Sequence, residues 1–280
     1  GANYRFKTEL FYEGNISNGV LRGNLILKGF GDPTLGSDQM EGVPDLPTLM
    51  ANFVKVVQKA GIKEIQGKVI GDASFFRGEV AGNTWQWYDL GNYYATGTWG
   101  LNIHENFYYL DFQQASREGE TPKIARIEPL IPNLYFINEV TSAPKNTGDQ
   151  AYIYGGPYAY ARVIKGTIPV GSQRFTIKGS IPDPPFFAAH RLLYALEEVG
   201  IKTTKLVQTD VEWTAEKPRT LLFTHYSPTL ADIVKRANYE SVNLYCESMI
   251  RAIGAAKMQP IVWQEALKQY LLTGLVRDWI

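Results

Sequence analysis

Residues 238–249 read Asn-Tyr-Glu-Ser-Val-Asn-Leu-Tyr-Cys-Glu-Ser-Met. Before them, Ser227 ahead of Pro228 predicts a helix N-cap with proline at the first helical position, followed by "PTLADIVKRAN". After them, Val242, Tyr245, Cys246, Met249, Ile250 and Ile253 recur on one helical face over about 242–253, and Gly254 is the expected stop. Glu247 and Arg251 are spaced to pair on another face. Ser241 and Asn243 therefore stand two apart at a junction between two helices. Two readings are open. Ser241 caps the helix from 242 onward, or the hydroxyl and the amide point into a cleft. In a cleft, the Ser hydroxyl relays a proton, and the Asn amide donates to and accepts from a substrate peptide bond. The triplet alone is a weak signal, because roughly one Ser-x-Asn is expected by chance in a chain this long.

Working back from the junction, the first third alternates between periods. Tyr4, Phe6, Thr8, Leu10 and Tyr12 have the period of two of a half-buried strand. "EGNISNG" is a turn signal, and "VLRGNLILKG" reads as a returning strand. From Asp45 to Gly61 the period becomes helical, with Asp45 as cap and Gly61 as stop. "IKEIQGKVIGDASFF" then reads as a strand. Residues 103–185 carry short strand-like runs: "FYYLDF", "YFINEV", "AYIYG", "YARVIKGTI" and "RFTIKGSI". "IPDPPFF" closes that region, "AHRLLYALEEVG" is a helix ending at Gly200, and "IKTTKLVQTDVEW" returns as a strand. Pro260 opens a last helix, "IVWQEALKQYLLTG". No internal repeat or low-complexity segment is present. The expected class is α/β, in several domains.

Composition excludes some functions. Among 280 residues, 28 Lys and Arg balance 28 Asp and Glu, so net charge makes no case for nucleic acid or an anionic membrane surface. No apolar run approaches the roughly 20 residues of a membrane span, and no signal peptide is visible. The chain opens without Met on "GANYRFKTEL", directly into a strand, which reads as a piece of a longer polypeptide or, more mildly, as a processed N-terminus. The single cysteine, Cys246, reads as a small core residue.

Other candidate chemistry is weaker. His104, His190 and His225 lack ligand spacing, so a metal site is not expected. "GFGDPTLG" lacks the phosphate-loop spacing, and Pro33 removes an N–H, so it reads as a tight turn. Ser142 and Lys145 in "TSAPK" match Ser-x-x-Lys, the pairing of a nucleophile with its base, yet no amphipathic helix follows. "LLTG" at 271–274 approximates Lys-Thr-Gly without the cation. The stretch 85–100, dense in Trp, Tyr and Gly, is read as packed loops over a sheet or, more sharply, as a ligand groove.

The block "ANYESVNLYCESMIRAIG" resembles the Ser-x-Asn region of the class C low-molecular-mass penicillin-binding D-alanyl-D-alanine carboxypeptidase/endopeptidases. Four further blocks agree in order: "RFKTELFYEG…GVLRGNLILKGFGDPTL", "IQGKVIGDASFF", "GLNIHENF" and "GTIPVGSQRFTIKGSIPDPP". The resemblance implies a transpeptidase-like domain (1–30 and 222–280), an inserted domain II (31–120 and 186–221) and an inserted β-rich domain III (121–185). It makes Ser241 and Asn243 the second of three motifs. The Ser-x-x-Lys nucleophile is then expected just before Gly1 and Lys-Thr-Gly beyond Ile280, so the chain by itself is expected to be inactive. Tyr239 stands where the family often has Lys, and Val242 where it often has Asp. The implied reaction is serine acyl transfer on peptidoglycan muropeptides ending in D-Ala-D-Ala, in the periplasm or cell envelope. It implies β-lactams as inhibitors; no cofactor, no metal and no nucleic-acid partner are expected for this chain. The alternative is a non-catalytic cell-wall-binding or scaffolding module, with Trp85, Trp87, Tyr88, Tyr93, Tyr94 and Trp99 as a saccharide or peptide platform.

Overall fold

The computed structural model describes residues 1–212 and 218–257. The helix expected from Pro260 and the "LLTG" segment lie outside the described residues. In chain order the first elements are β1 (Lys7–Glu13), β2 (Asn15–Ser17), β3 (Val20–Arg22), β4 (Leu25–Gly29), α1 (Leu46–Lys59), β5 (Glu64–Ile65) and β6 (Val69–Asp72). Next come β7 (Phe107–Gln113), β8 (Lys123–Glu128), β9 (Tyr135–Ala143), β10 (Gln150–Tyr154), β11 (Ala161–Pro169) and β12 (Arg174–Ser180). The last are α2 (Pro184–Glu198), β13 (Lys202–Thr203), β14 (Val207–Asp210), β15 (Arg219–Tyr226), α3 (Leu230–Glu240) and α4 (Asn243–Lys257). The class is mixed α/β with several sheets, as the alternating periods predict. Among the described residues, no helix is long and apolar enough to cross a membrane.

The chain divides into two compact units. The first comprises Gly1–Val80, Thr98–Glu105 and the chain from Pro184. Its main sheet has the order β14-β6-β4-β1-β15. β1 runs antiparallel to β15, from Lys7 opposite Tyr226 to Glu13 opposite Arg219. β4 runs antiparallel to β1 and parallel to β6. The main sheet thus crosses the domain border expected near residue 30. Leu25, Ile26, Leu27 and Leu10 are fully buried within it, and α2 supplies Phe187, Leu192 and Leu196 as a covering layer. Gly71 permits the close approach of α2, since a Cβ there would lie 2.1 Å from the Pro185 carbonyl oxygen. α1 begins where expected: the Asp45 carboxylate accepts from the Thr48 N–H at 3.0 Å. Gly61, past its end, has φ +76°.

Three local expectations need correction. The "EGNISNG" turn is narrower than read, because β2 and β3 form a hairpin whose turn is Asn18-Gly19, both at positive φ. α2 begins at Pro184, five residues before "AHRLL", because prolines are tolerated in a first turn whose N–H groups have no intrahelical partner. Ser227 is not an N-cap. It is buried, its hydroxyl accepts from Phe6 N–H at 2.9 Å and donates to Pro228 O at 2.7 Å, and its N–H extends the pairing of β1 with β15. Thr229 caps α3 instead, in a reciprocal capping box with Asp232.

The second unit comprises Ala81–Gly97 and Asn106–Asp183. It holds two three-stranded sheets, β10-β11-β9 and β12-β7-β8. β8 is not among the expected strands, and β7 belongs to this unit because it pairs with both β12 and β8. The β-rich unit is therefore wider than the 121–185 expected. Its aromatic loop is bolted down by polar groups. Asn92 bonds the Ile153 N–H (3.1 Å) and the Tyr88 carbonyl (2.8 Å), and Ser180 donates to Leu90 O at 2.7 Å.

Candidate active site

The Ser-x-Asn triplet is the link between α3 and α4. α3 ends at Ser241, which adopts the left-handed conformation (φ 54°, ψ 47°) and donates its N–H to Ala237 O. Val242 follows, and its carbonyl accepts from Tyr245 N–H at 3.1 Å, which starts α4. Asn243 is the first residue of α4. The expectation that Ser241 caps the following helix is thus corrected: it terminates the preceding one. Its side chain is exposed, whereas Asn243 is half-buried. Left-handed geometry costs an L-residue about 1–2 kcal/mol, and glycine is the usual occupant of such a helix end.

Apolar packing seats the hairpin of α3 and α4. Ile233, Ala237, Leu244 and Tyr245 bury against Phe6 and Met40, with Val242 and Met249 packed at the margin. Burial of Phe6 alone contributes roughly 2–3 kcal/mol. Beside α3 lies a groove of about 620 Å³ lined by residues including Gln39, Glu41, Arg236, Tyr239 and Glu240. It reaches the residue before Ser241, but neither Ser241 nor Asn243 lines it. Tyr239 is 81% exposed.

The buried face of α4 differs from the predicted one. Leu244, Tyr245, Ser248, Arg251 and Ala255 are buried, whereas Cys246 is exposed, so the core reading of the thiol is corrected. Gly254 does not end the helix, which continues to Lys257. The cause is polar. Tyr245 Oη donates to Glu105 Oε1 at 2.8 Å. Ser37 Oγ donates to the same oxygen at 2.6 Å and accepts from the N–H groups of Gln39 and Met40. Arg236 Nε stands 3.8 Å from that carboxylate. Burial and the Glu105 charge hold the Tyr245 hydroxyl well above the ordinary phenol range, so it remains a donor. Two residues on, Thr98 Oγ1 donates to Glu247 Oε2 at 2.7 Å. Arg251 donates to the Glu79 carbonyl and stacks over Phe76. Burial pushes its guanidinium down to about 10, against the opposing charges of Glu247 and Glu79. Glu247 therefore acts on Arg251 electrostatically, in the direction the i, i+4 spacing suggests. Only the "GLNIHENF" block pointed to the neighbourhood of Glu105, and it carried no role.

The remaining candidates fall elsewhere. Ser142 is buried on β9, a strand, and Lys145 is exposed beyond its end, so no helical turn joins them. "GFGDPTLG" is a turn in which Asp32 Oδ1 accepts from the N–H and hydroxyl of Thr34 at 2.8 and 2.7 Å. His190 lies on α2 between Phe186 and Tyr194, and burial lowers its pKa. His225 lies on β15, and His104 is buried with Nδ1 3.3 Å from Gly36 O. In the second unit Trp87 (64%) and Tyr93 (51%) are exposed, Tyr88 meets Tyr152 edge-on and Trp85 meets Tyr94. Trp99 is buried in the first unit and is no part of that cluster.

The chain is 28% identical over 255 residues to the D-alanyl-D-alanine carboxypeptidase DacB of Haemophilus influenzae, covering 89% of this chain and 49% of that protein. It thus spans about half the length of that curated relative. The crystal structure of penicillin binding protein 4 (dacB) from Haemophilus influenzae superposes with a TM-score of 0.77 at 25% identity, covering 99% of this chain and 59% of the other. A second structure of penicillin binding protein 4 from that organism, complexed with a β-lactam, gives a TM-score of 0.70 at 22% identity, with 99% and 57% covered. The family model described as D-Ala-D-Ala carboxypeptidase 3 (S13) matches residues 1–273. With nearly the whole chain matched by that family model, this protein belongs to the D-Ala-D-Ala carboxypeptidase 3 (S13) family.

Proposed function

We propose that this chain is part of a serine D-Ala-D-Ala carboxypeptidase, with endopeptidase activity as a further capacity, that acts on peptidoglycan peptides through an acyl-enzyme. A serine attacks the carbonyl carbon of the penultimate D-Ala, D-alanine leaves, and water hydrolyses the ester. The attacking serine is that of a Ser-x-x-Lys pair. Ser241 relays protons in acylation and deacylation. Asn243 positions the substrate amide and the lysine of the first motif. The observation that carries this reading is Ser241 itself. A serine kept at a left-handed, exposed helix end, where glycine fits better, supports a role for its side chain beyond ending α3.

In this reading 1–30 and 222–280 belong to the transpeptidase-like domain, consistent with the pairing of β1 and β15. The residues between them are insertions, and the first insertion shares the main sheet through β6 and β14. The location is the periplasm or cell envelope. The partners are muropeptides ending in D-Ala-D-Ala, and β-lactams inhibit by acylating the same serine. The relative solved in complex with a β-lactam supports β-lactams as ligands in this reading.

The test is the complete gene product incubated with fluorescent penicillin and, separately, with a D-Ala-D-Ala pentapeptide. Covalent labelling together with D-alanine release supports the reading, and absence of both rejects it. The exposed Trp87, Tyr88 and Tyr93 support the second reading, a wall-binding platform on the β-rich unit. Muropeptide binding without any penicillin labelling would favour that reading.

A further inference from the structure

The helix that begins with Asn243 carries two competing faces. By apolar content, Val242, Cys246, Met249, Ile250 and Ile253 are the ones to bury. The most deeply buried side is centred nearly opposite, with Leu244, Ser248, Arg251 and Ala255; Val242, Met249 and Ile250 are half-buried at the margins of the core, Cys246 is exposed, and Tyr245 lies between the two sides. Seating Ser248 and Arg251 deepest, with the apolar side left half-buried, requires polar partners. Those partners are Glu105 for Tyr245, Thr98 for Glu247 and the Glu79 carbonyl for Arg251. The first sits nearest the triplet. Glu105 is itself held in place, 6% exposed, by Ser37 and Arg236, and it adopts left-handed geometry between two other left-handed residues, His104 and Asn106. A backbone held so far from its preferred region is over-determined by its surroundings.

We infer that Glu105 and Tyr245 are positioning residues for the acyl-transfer reaction: their hydrogen bond sets the rotation of α4 about its axis and so the direction of Asn243. Tyr245 lies two residues beyond Asn243, hence about 200° around the helix. Tyr245 held inward turns Asn243 outward, to the half-buried position observed. Loss of the bond releases α4 toward its apolar face and carries the Asn243 amide with it. The inference rests on the carboxypeptidase reading above.

The experiment measures second-order acylation of the complete gene product by fluorescent penicillin, with melting temperature alongside. Tyr245→Phe, which removes one hydroxyl, should acylate roughly ten-fold more slowly, the cost of displacing a transition-state donor without deleting it. Glu105→Asp, which withdraws the carboxylate by one methylene, should do the same. Glu105→Gln still accepts the phenol hydrogen and should retain most of the rate. The decisive arm is coupling: in an Asn243→Ala background, Tyr245→Phe should cause no further loss, because it acts through the missing amide. If Tyr245→Phe acylates at the wild-type rate, or loses the same factor with and without Asn243, the positioning role is overturned while the reaction assignment stands. If the wild-type protein is not labelled at all, the reaction assignment fails and the positioning role with it.

Discussion

The Thr98 hydroxyl donates to Glu247 at 2.7 Å, joining the second turn of α4 to a turn 149 residues earlier in the chain. Together with Tyr245 on Glu105, it makes the docking of α4 a matter of side-chain hydrogen bonds as well as apolar burial. Thr98→Val keeps the shape and deletes the donor, leaving a partly buried carboxylate short of one partner. The expected loss is about 1–2 kcal/mol in chemical denaturation, and an isostable variant would show that the bond contributes nothing.

Ser241 predicts opposite effects on stability and chemistry. Ser241→Gly relieves the left-handed strain at the end of α3, offset in part by glycine's greater freedom in the unfolded chain, for a net gain of about 0.5–1 kcal/mol. The same change should slow penicillin acylation of the complete gene product, because the relay hydroxyl is gone. A variant that is stabilised and equally reactive would return Ser241 to a purely structural residue.

The start of α3 gives a local test of the fold. Thr229 and Asp232 bond each other's backbone N–H groups, at 3.3 and 3.2 Å. Thr229→Ala removes the side-chain acceptor and should cost about 1 kcal/mol. Ser227→Ala should be destabilising for a different reason, since it strips the buried Phe6 N–H of its acceptor. Equal, negligible losses in both would contradict the reassignment of the cap.

Asp32 makes stability depend on pH. Its carboxyl is buried and pushed up to about 6 by that burial, against the two bonds from Thr34, whereas an unfolded carboxyl titrates near 3.8. The folded state therefore binds the proton more tightly. The contribution of this group to stability is full below pH 3.8 and is lost as pH rises through about 6. Relative to Asp32→Asn, wild type should weaken by roughly 2–3 kcal/mol between pH 4 and 7. A difference that does not change with pH would contradict a proton held there.

Much of this architecture was legible from local chemistry. The span of α1 followed from Asp45, a period of 3.6 and Gly61, and the β-rich region followed from short alternating runs between turn residues. The junction at Ser241 and Asn243 also followed from two helical patterns meeting there. Long-range pairing was not legible. Ser227 looked like a cap because Ser-Pro favours helix starts, but its hydroxyl is used by Phe6, 221 residues away in sequence. The face of α4 was misread because apolar periodicity does not register that Tyr245, Glu247 and Arg251 find partners near residues 79–105. Glu105 was missed for the same reason. A lone glutamate in a loop becomes a site residue only when Ser37, Arg236 and Tyr245 converge on it.

The most direct test of the central claim is the acylation rate of the complete gene product by fluorescent penicillin, compared with that of its Asn243→Ala variant. The account predicts a covalently labelled wild-type protein and a loss of roughly 10²–10³-fold on removal of this one amide, with the fold intact by circular dichroism. Equal labelling of the two proteins would contradict it.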